Sequence, residues 1–411
     1  MTFFFRSLIN AFLLFTVFIY SQNFQKVKIS NITSNRTASI SQDSLGFLWF
    51  GTDEGLNKYD GIENRQYKSN IFDEKTLSSN RIRDIYIDKN NSVWILNDRG
   101  LDLYEELKDN FIRFPTKTKP VHLFNKKDFI YITTSQSGLF VLNKKDRQMR
   151  IYSFDPLDPL SISSSRFSSK QTNPIAISDE TMWLGTTNGL NKISLKTQAS
   201  KRFYSEKAEF VENDTINAVQ NVKEGLLIGT SKGVVLYNDK TNKSKKISNR
   251  QTNNIEKIGQ GDYILFIGNK TTMVLNKEFE KIYEIKQKEP KTKLTQLTED
   301  QYLIWSPGMK ETLLLNTNKN NELGIEISSG FLKNTPQDIL VDNQSNVWVA
   351  SNKGVYVAAN INKPAKFIKS QKITKANAFT RTQHNHIIFS NNAIYEASSK
   401  EIKKIKDIKV Q

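Results

Sequence analysis

One motif recurs along almost the whole chain and limits its possible folds more than any other feature. "WFGTDEGLNKYD", which starts at Trp49, returns as "WILNDRGLDLY" at Trp94 and "WLGTTNGLNKI" at Trp183. Fainter copies start at Tyr131, Leu227, Phe266, Trp305, Trp348 and Ile387. The nine units follow one another at intervals of 37 to 52 residues, and all five tryptophans of the chain start a unit. Such a period predicts a repeat architecture rather than a single active-site loop.

Each unit is typical of four short β-strands. An apolar or alternating run such as "RIRDIYID" comes first, and a second strand such as "VWIL" contains the tryptophan position. A glycine turn follows, then a third strand such as "LDLYEE" and an outer run such as "NFIRF". Four strands in about 40 to 45 residues are the signature of a propeller blade. The sequence therefore predicts an all-β protein, a β-propeller of four-stranded blades.

The side chains that recur in every unit are expected to be structural. Asp is favoured in turns because its side chain can form hydrogen bonds with the backbone of the turn. We expect this of three aspartates, Asp43, Asp88 and Asp342. Close contact between neighbouring blades is expected where a large side chain is missing, at the Gly-Thr pairs 51–52, 185–186 and 229–230. A tryptophan at a fixed place in each unit is expected to be buried between sheets rather than to bind ligand.

Two stretches resemble the repeat of the two-component regulator propeller family. They are "SISQDSLGFLWFGTDEGLNKYDG" and "LSSNRIRDIYIDKNNSVWILNDRGLDLY", and "DPLDPLSISSSRF" resembles the linker between blades in that family. The resemblance implies the periplasmic sensor region of a hybrid two-component histidine kinase of the Bacteroidetes type. It also implies a glycan or other nutrient cue and a homodimer.

The chain departs from the full layout of that family. After the repeats there is no motif of a kinase, of a second membrane helix or of a DNA-binding helix-turn-helix. The function hypothesis is therefore a truncated, ligand-binding extracytoplasmic sensor propeller without catalytic activity. The alternative is a stand-alone secreted propeller that binds protein or polysaccharide without signalling output.

The domain organisation follows from the first residues and from the strength of the repeats. "MTFFFRSLINAFLLFTVFIYSQ" has one arginine and a long apolar run, which predicts a signal peptide over residues 1–21 and export to the periplasm or the exterior. An uncleaved membrane anchor is the alternative. We expect a seven-bladed ring over residues 22–326 and two blades of a second ring over 327–411. A single ring of eight or nine blades is the alternative. The early run "FQKVKI" is expected to supply the outer strand of the last blade.

Charge and reactive residues give little indication of a site. The formal net charge is +17, which favours polyanionic glycan partners, whereas export argues against nucleic acid. A solvated basic surface without a partner is the alternative. Cysteine is absent, and the three histidines are His122, His384 and His386. The last two form "HNH" without an evident third metal ligand. The sequence predicts no catalytic residue, metal site or cofactor, and it does not identify ligand-binding residues.

Overall fold

The structure is a computed structural model of the 411-residue chain. It describes residues 24–178, 180–206, 211, 215–259, 263–290, 292–299, 301–309, 312–317, 323–326, 335–358, 376–381, 386–390, 393–397 and 402–407. These residues form 36 β-strands, and no α-helix is among them. The predicted all-β class is confirmed.

The strands fall into consecutive sets of four, which we call blades, after a short first strand, β1 (Gln25–Lys26). Blades 1 to 4 consist of β2 (Thr37–Gln42), β3 (Leu48–Thr52), β4 (Leu56–Tyr59), β5 (Asn64–Tyr67), β6 (Ile82–Ile87), β7 (Val93–Asn97), β8 (Gly100–Glu105), β9 (Asn110–Pro115), β10 (Pro120–Lys126), β11 (Phe129–Thr134), β12 (Leu139–Asn143), β13 (Met149–Tyr152), β14 (Ile175–Ile177), β15 (Thr181–Thr186), β16 (Gly189–Ser194) and β17 (Ser200–Phe203).

Blades 5 to 7 consist of β18 (Ile216–Val222), β19 (Gly225–Thr230), β20 (Gly233–Asn238), β21 (Lys243–Ser248), β22 (Asn254–Ile258), β23 (Tyr263–Ile267), β24 (Thr271–Asn276), β25 (Lys281–Lys286), β26 (Lys293–Gln296), β27 (Gln301–Trp305), β28 (Leu313–Thr317) and β29 (Leu323–Glu326). Blade 8 contains β30 (Pro336–Val341), β31 (Val347–Ser351) and β32 (Gly354–Ala358). The last sheet consists of β33 (Ala376–Arg381), β34 (His386–Ser390), β35 (Ala393–Ala397) and β36 (Ile402–Asp407).

Each blade is an antiparallel sheet in which strands adjacent in sequence are neighbours, as the four-strand pattern predicts. The chain divides into two compact units, Met1–Ala358 and Ala359–Gln411. The first contains blades 1 to 8, which form one ring, and the second contains the sheet β33–β36.

Blade 8 has only three strands of its own, and the first strand of the chain completes it. β1 pairs antiparallel with β32, and Gln25 lies opposite Val357. On the inner side of the blade, β30 packs against β2 of blade 1. There the backbone amide of Ile40 donates a hydrogen bond to Asp338 Oδ2 at 3.0 Å. The predicted closing role of "FQKVKI" is confirmed.

The ring therefore has eight blades, and the favoured arrangement of seven blades over 22–326 plus two blades over 327–411 is wrong. The physical reason is that blade 1 packs against blade 8 and not against blade 7. The alternative of a single eight-bladed ring is confirmed. The sheet β33–β36 belongs to the second unit, and its assignment to a further ring stays a prediction.

One residue of each second strand, which we call the anchor, packs against the next blade, while its two neighbours on the strand pack against the preceding blade. By this criterion seven anchors are Trp49, Trp94, Tyr131, Trp183, Leu227, Leu265 and Trp348. In blade 7, Tyr302 and Ile304 pack against blade 6, which places Leu303 on the opposite face as the eighth anchor. Two predicted positions are wrong. Phe266 packs towards blade 5, because a shift by one residue turns a side chain to the other face. Trp305 lies two residues beyond its anchor.

The aspartates six residues before three anchors hold both the turn and the anchor. Asp43 Oδ1 accepts the backbone amide of Phe47 at 2.9 Å, and its Oδ2 accepts Trp49 Nε1 at 2.9 Å. Asp88 and Asp342 make the same two kinds of bond. Their predicted turn-bonding role is confirmed, and the sequence did not indicate the additional bond to tryptophan.

The Gly-Thr pairs lie where blades approach each other most closely. A Cβ atom at Gly51 would lie 2.5 Å from Ile82 Cγ2, and one at Gly185 would lie 2.6 Å from Ile216 Cγ2. Both isoleucines belong to the next blade, so any larger residue would push two sheets apart. The prediction of close packing at these glycines is confirmed.

Two predictions fall on residues outside the described part of the chain. The signal peptide over residues 1–21 lies there, and so does His384. Among the residues that the structure describes, no helix has the length and apolar character needed to cross a bilayer.

Candidate ligand-binding cleft

Three side chains besides the anchor pack between two neighbouring blades, at the end where their first strands terminate. In every blade the third strand begins at or just after a turn glycine or its equivalent, and we count positions from that residue. The first blade contributes its own third residue after this point, and the next blade contributes its own fourth and sixth. We call these three positions the plug.

The plug between blades 1 and 2 is complete. Lys58 Nζ lies 5.1 Å from the ring centre of Trp49 and 3.8 Å from Glu106 Oε1 of the next blade. Tyr104 of blade 2 packs edge-on against Trp49, with 5.0 Å between ring centres. An ammonium over aromatic faces and beside a carboxylate is stabilised by both. Lys58 thus lies over the anchor, and the cavity of about 500 Å³ beside it is lined mainly by charged and polar side chains.

The junction between blades 4 and 5 repeats this arrangement. Lys192 Nζ lies 5.7 Å from the ring centre of Trp183 and forms an ion pair with Asp239 of blade 5. Tyr237 packs edge-on against the same tryptophan at 6.1 Å. The same four residue types therefore close two separate junctions.

The junction between blades 3 and 4 lacks all four of these groups. The anchor is Tyr131, and the plug positions hold Val141, Ile193 and Leu195. A cavity of about 330 Å³ opens there, with Tyr131, Val141, Tyr152, Met182 and Leu195 among its walls. This volume lies at the lower end of the range for ligand pockets, which are mostly apolar with a few polar groups. With smaller and uncharged side chains at these positions, the cleft between blades 3 and 4 has mainly apolar walls.

Two phenol groups lie in the cleft. The hydroxyls of Tyr131 and Tyr152 form no hydrogen bond with any part of the chain that the structure describes. Burial, with a smaller contribution from Tyr152, raises the pKa of Tyr131 to about 12, and burial also raises the pKa of Tyr152. Both phenols stay protonated at neutral pH and can donate hydrogen bonds to a ligand.

The rim of the cleft is basic. Among the described residues, Lys126, Lys127 and Arg150 line it together with one acid, Asp146. The carboxylate of Asp146 already accepts the Gln148 amide at 2.9 Å and an amide side chain of its own turn. The charge of Lys126 also opposes the rise in the pKa of the buried Glu256.

A second polar cluster lies where the inner strands of five blades converge. Ser39 Oγ is 3.2 Å from both Asp84 Oδ1 and Asp338 Oδ2, and Lys293 Nζ is 3.9 Å from Asp338 Oδ1. Burial raises the pKa of Asp84 to about 6 and lowers the pKa of His122 to about 4. Within the described residues, no three His, Asp or Glu side chains are grouped to hold a metal ion.

The sequence analysis named no ligand-binding residue. The signal that it missed is the absence, in the third unit, of the lysine that follows the turn glycine in other units. The motif "GLNK" places Lys58 and Lys192 on their tryptophans, and the third unit has "GLFV" there. Of the histidines, only His122 has a described side chain, on β10, while His386 begins β34.

Comparison with known proteins gives a match to one family model. Residues 76–99 match the model described as "Two component regulator propeller". This segment is the second unit, from which the resemblance was inferred, and the inference is confirmed. No curated protein matches the chain.

Several solved structures are similar to the chain in fold. The extracellular domain of the hybrid two component system BT3049 from B. thetaiotaomicron is 18% identical, with a TM-score of 0.51, over 94% of this chain and 49% of that one. The chain thus spans about half of that domain. The computationally designed Ika8 protein is 10% identical with a TM-score of 0.58, over 82% of this chain and 100% of that one. BamB from Moraxella catarrhalis is 12% identical with a TM-score of 0.51, over 84% of this chain and 99% of that one.

Proposed function

Because the chain carries the two component regulator propeller repeat, we propose that it is the extracytoplasmic, ligand-binding sensor propeller of a longer two-component signalling protein. Its cue is a glycan or another nutrient, and it reaches the periplasm or the exterior through its signal peptide. The chain itself binds and does not catalyse. Similarity of fold to an extracellular domain of a two component system supports this proposal.

The observation that carries the proposal is the mainly apolar cleft between blades 3 and 4. The Trp, Lys, Tyr and acidic side chains that meet between blades 1 and 2 and between blades 4 and 5 are all replaced there, whereas the cavity between blades 1 and 2 is lined mainly by charged and polar side chains. A saccharide suits the resulting cleft, because its apolar C–H face can lie on aromatic and aliphatic walls while its hydroxyls meet polar side chains. Asn143, Gln148 and Ser178 provide such side chains at the edge.

A ligand in this cleft would contact two blades at once. Tyr131 and Val141 belong to blade 3, and Met182 and Leu195 belong to blade 4. Binding can therefore favour one relative position of these blades over another, which is what a sensor requires. The cue and the conformational response belong to this proposal.

A second candidate function is a stand-alone secreted scaffold without signalling output. The observation that favours it is the closure of the ring by β1, which completes all eight blades without any partner chain. Both candidates require a ligand, and they differ in whether binding drives a further domain.

Calorimetric titration of the purified chain from residue 22 with a panel of neutral and acidic oligosaccharides tests the proposed site. The double variant Val141→Lys with Leu195→Glu introduces the lysine and the acid that form the ion pair between blades 1 and 2. We expect it to weaken binding of the best ligand at least tenfold. The matched control is Leu236→Lys with Lys277→Glu, at the equivalent positions between blades 5 and 6, and it should bind normally. Equal binding by both variants, or no binding to any oligosaccharide, would contradict the proposal.

A further inference from the structure

We propose that the cleft between blades 3 and 4 selects a saccharide unit that carries a carboxylate, such as a uronic acid. This inference rests on the proposed function, because it narrows the class of ligand that the same cleft binds. Three observations carry it: the absence of the lysine–acid ion pair, the arginine at the rim and the protonated phenols of the floor.

The first observation is the loss of an acid at a defined position. The sixth residue after the turn glycine is Glu106 in blade 2 and Asp239 in blade 5, and each pairs with the lysine of the preceding blade. In blade 4 this position holds Leu195. The cleft therefore has no carboxylate at the position of Glu106 and Asp239. The lysine that pairs with this carboxylate is also absent, because its position holds Val141.

The second observation is a cation of the rim that has no salt-bridge partner among the described residues. Arg150 takes part in no salt bridge there, whereas the charge of Lys126 acts on the buried Glu256. Arg150 lies close enough to Tyr152 for its charge to oppose the rise in the pKa of that phenol. An arginine in this position can receive a carboxylate with two parallel hydrogen bonds, which are the strong kind.

The third observation is that the floor carries two phenols that can donate hydrogen bonds. The phenols of Tyr131 and Tyr152 stay protonated at neutral pH and lack partners among the described residues. Asp146, the only acid among the described lining residues, is engaged in its own turn. Donors and cations converge on a space with apolar walls, and an anion with an apolar face matches both features.

The experiment compares ligands that differ only in charge. Trigalacturonate and a hyaluronan tetrasaccharide are each titrated into the chain beside their methyl esters, at low and at physiological salt. We expect one of the acids to bind at least tenfold more tightly than its ester at low salt. The difference should shrink as salt is added, because screening weakens the attraction to a partly exposed rim.

Variants then place the effect at the cleft. Arg150→Gln should reduce the preference for the acid over its ester by about threefold to tenfold, while the affinity for the ester changes little. Lys245→Gln removes an exposed cation from β21 of blade 5 and is the matched control. We expect it to leave the preference unchanged.

The outcomes separate this inference from the function on which it rests. Equal affinity for acid and ester, or an equal loss in Arg150→Gln and Lys245→Gln, overturns the selection of a carboxylate at the cleft. If the chain then binds a neutral oligosaccharide and the plugged variant does not, the proposed function stands and this inference fails. If neither acids, esters nor neutral oligosaccharides bind, both fail.

Discussion

The junctions between blades 1 and 2 and between blades 3 and 4 are built from the same strands and differ in four side chains. In the first, Lys58 lies over Trp49 beside groups from blade 2, and the cavity of about 500 Å³ there is lined mainly by charged and polar side chains. In the second, Tyr131 and Val141 border a mainly apolar cavity of about 330 Å³. The comparison teaches that equivalent positions of the repeat can line cavities of different chemistry, and that the side chains at the anchor and plug positions set that chemistry.

The largest expected effect concerns the two anchors. Trp49→Ala should lower the free energy of unfolding by about 3–5 kcal/mol, because it leaves a large cavity and removes the partner of Asp43. Tyr131→Ala should cost about 1–2 kcal/mol less, since that ring already borders an open space. Urea denaturation followed by fluorescence measures both. Equal losses would show that the two junctions are packed alike and would contradict the comparison.

An intermediate effect is expected at the second blade of each junction, where an acid and an amide occupy the same position. Asp102 in blade 2 accepts the Ser78 amide at 2.8 Å, and Asn191 in blade 4 accepts the Ser163 amide at 2.7 Å. Burial raises the pKa of Asp102 to about 6, from a usual value of 3.8. The folded state therefore holds this proton more tightly than the unfolded state does, and the contribution to stability is lost as pH rises from about 4 to about 6.

Asp102→Asn should consequently stabilise the fold at pH 7.5 by about 1–2 kcal/mol, because it removes a buried charge and keeps the acceptor. The gain should disappear below about pH 4. Thermal unfolding of both proteins from pH 4 to pH 8 measures it. A loss of stability at pH 7.5 would show that the charge of Asp102 is needed.

The smallest expected effect comes from opening the closed junction. Lys58→Val removes one partly buried ion pair and the cation–π contacts with Phe47, Trp49 and Tyr104, and a single contact of either kind contributes about 0.5–1 kcal/mol. We expect the melting temperature to fall by a few degrees at most. The variant should also give a second cleft, visible as a cavity over Trp49 in a crystal structure. If Glu106 or a neighbouring ring moves in to fill the space, the plug is not what keeps the junction closed.

The sequence predicted the four-stranded blade correctly, but its favoured number of blades in the ring was wrong. The strands, the turn role of Asp43 and the close packing at Gly51 follow from local patterns that repeat, so one good copy explains the others. The number of blades depends on contacts between the two ends of the chain, and β1 is two residues long. The run "FQKVKI" indicated a closing strand, but nothing in it indicated which blade contains its partner.

The cleft escaped sequence reasoning for a different reason. Val141 and Leu195 belong to different units, and each is an ordinary apolar residue in its own strand or turn. The two residues point to a cleft only when it is known that the third position of one unit meets the sixth position of the next unit. The weak units also hid the anchors Leu265 and Leu303, because a shift of one or two residues still places an aromatic ring on the strand.

The pairing of β1 with β32 also determines the order in which the molecule can assemble. Gln25 meets Val357, so the two ends of more than 330 residues must come together before the eighth sheet is complete. Contacts so far apart in sequence form late and slow folding. The first seven sheets can form as the chain emerges. The eighth is complete only after β32 has been made and has paired with β1, which was made at the start. Until then one edge of the sheet in blade 8 stays unpaired and can join a strand of another molecule. Refolding at high protein concentration should therefore produce linked rings, in which each chain contributes its first strand to a neighbour.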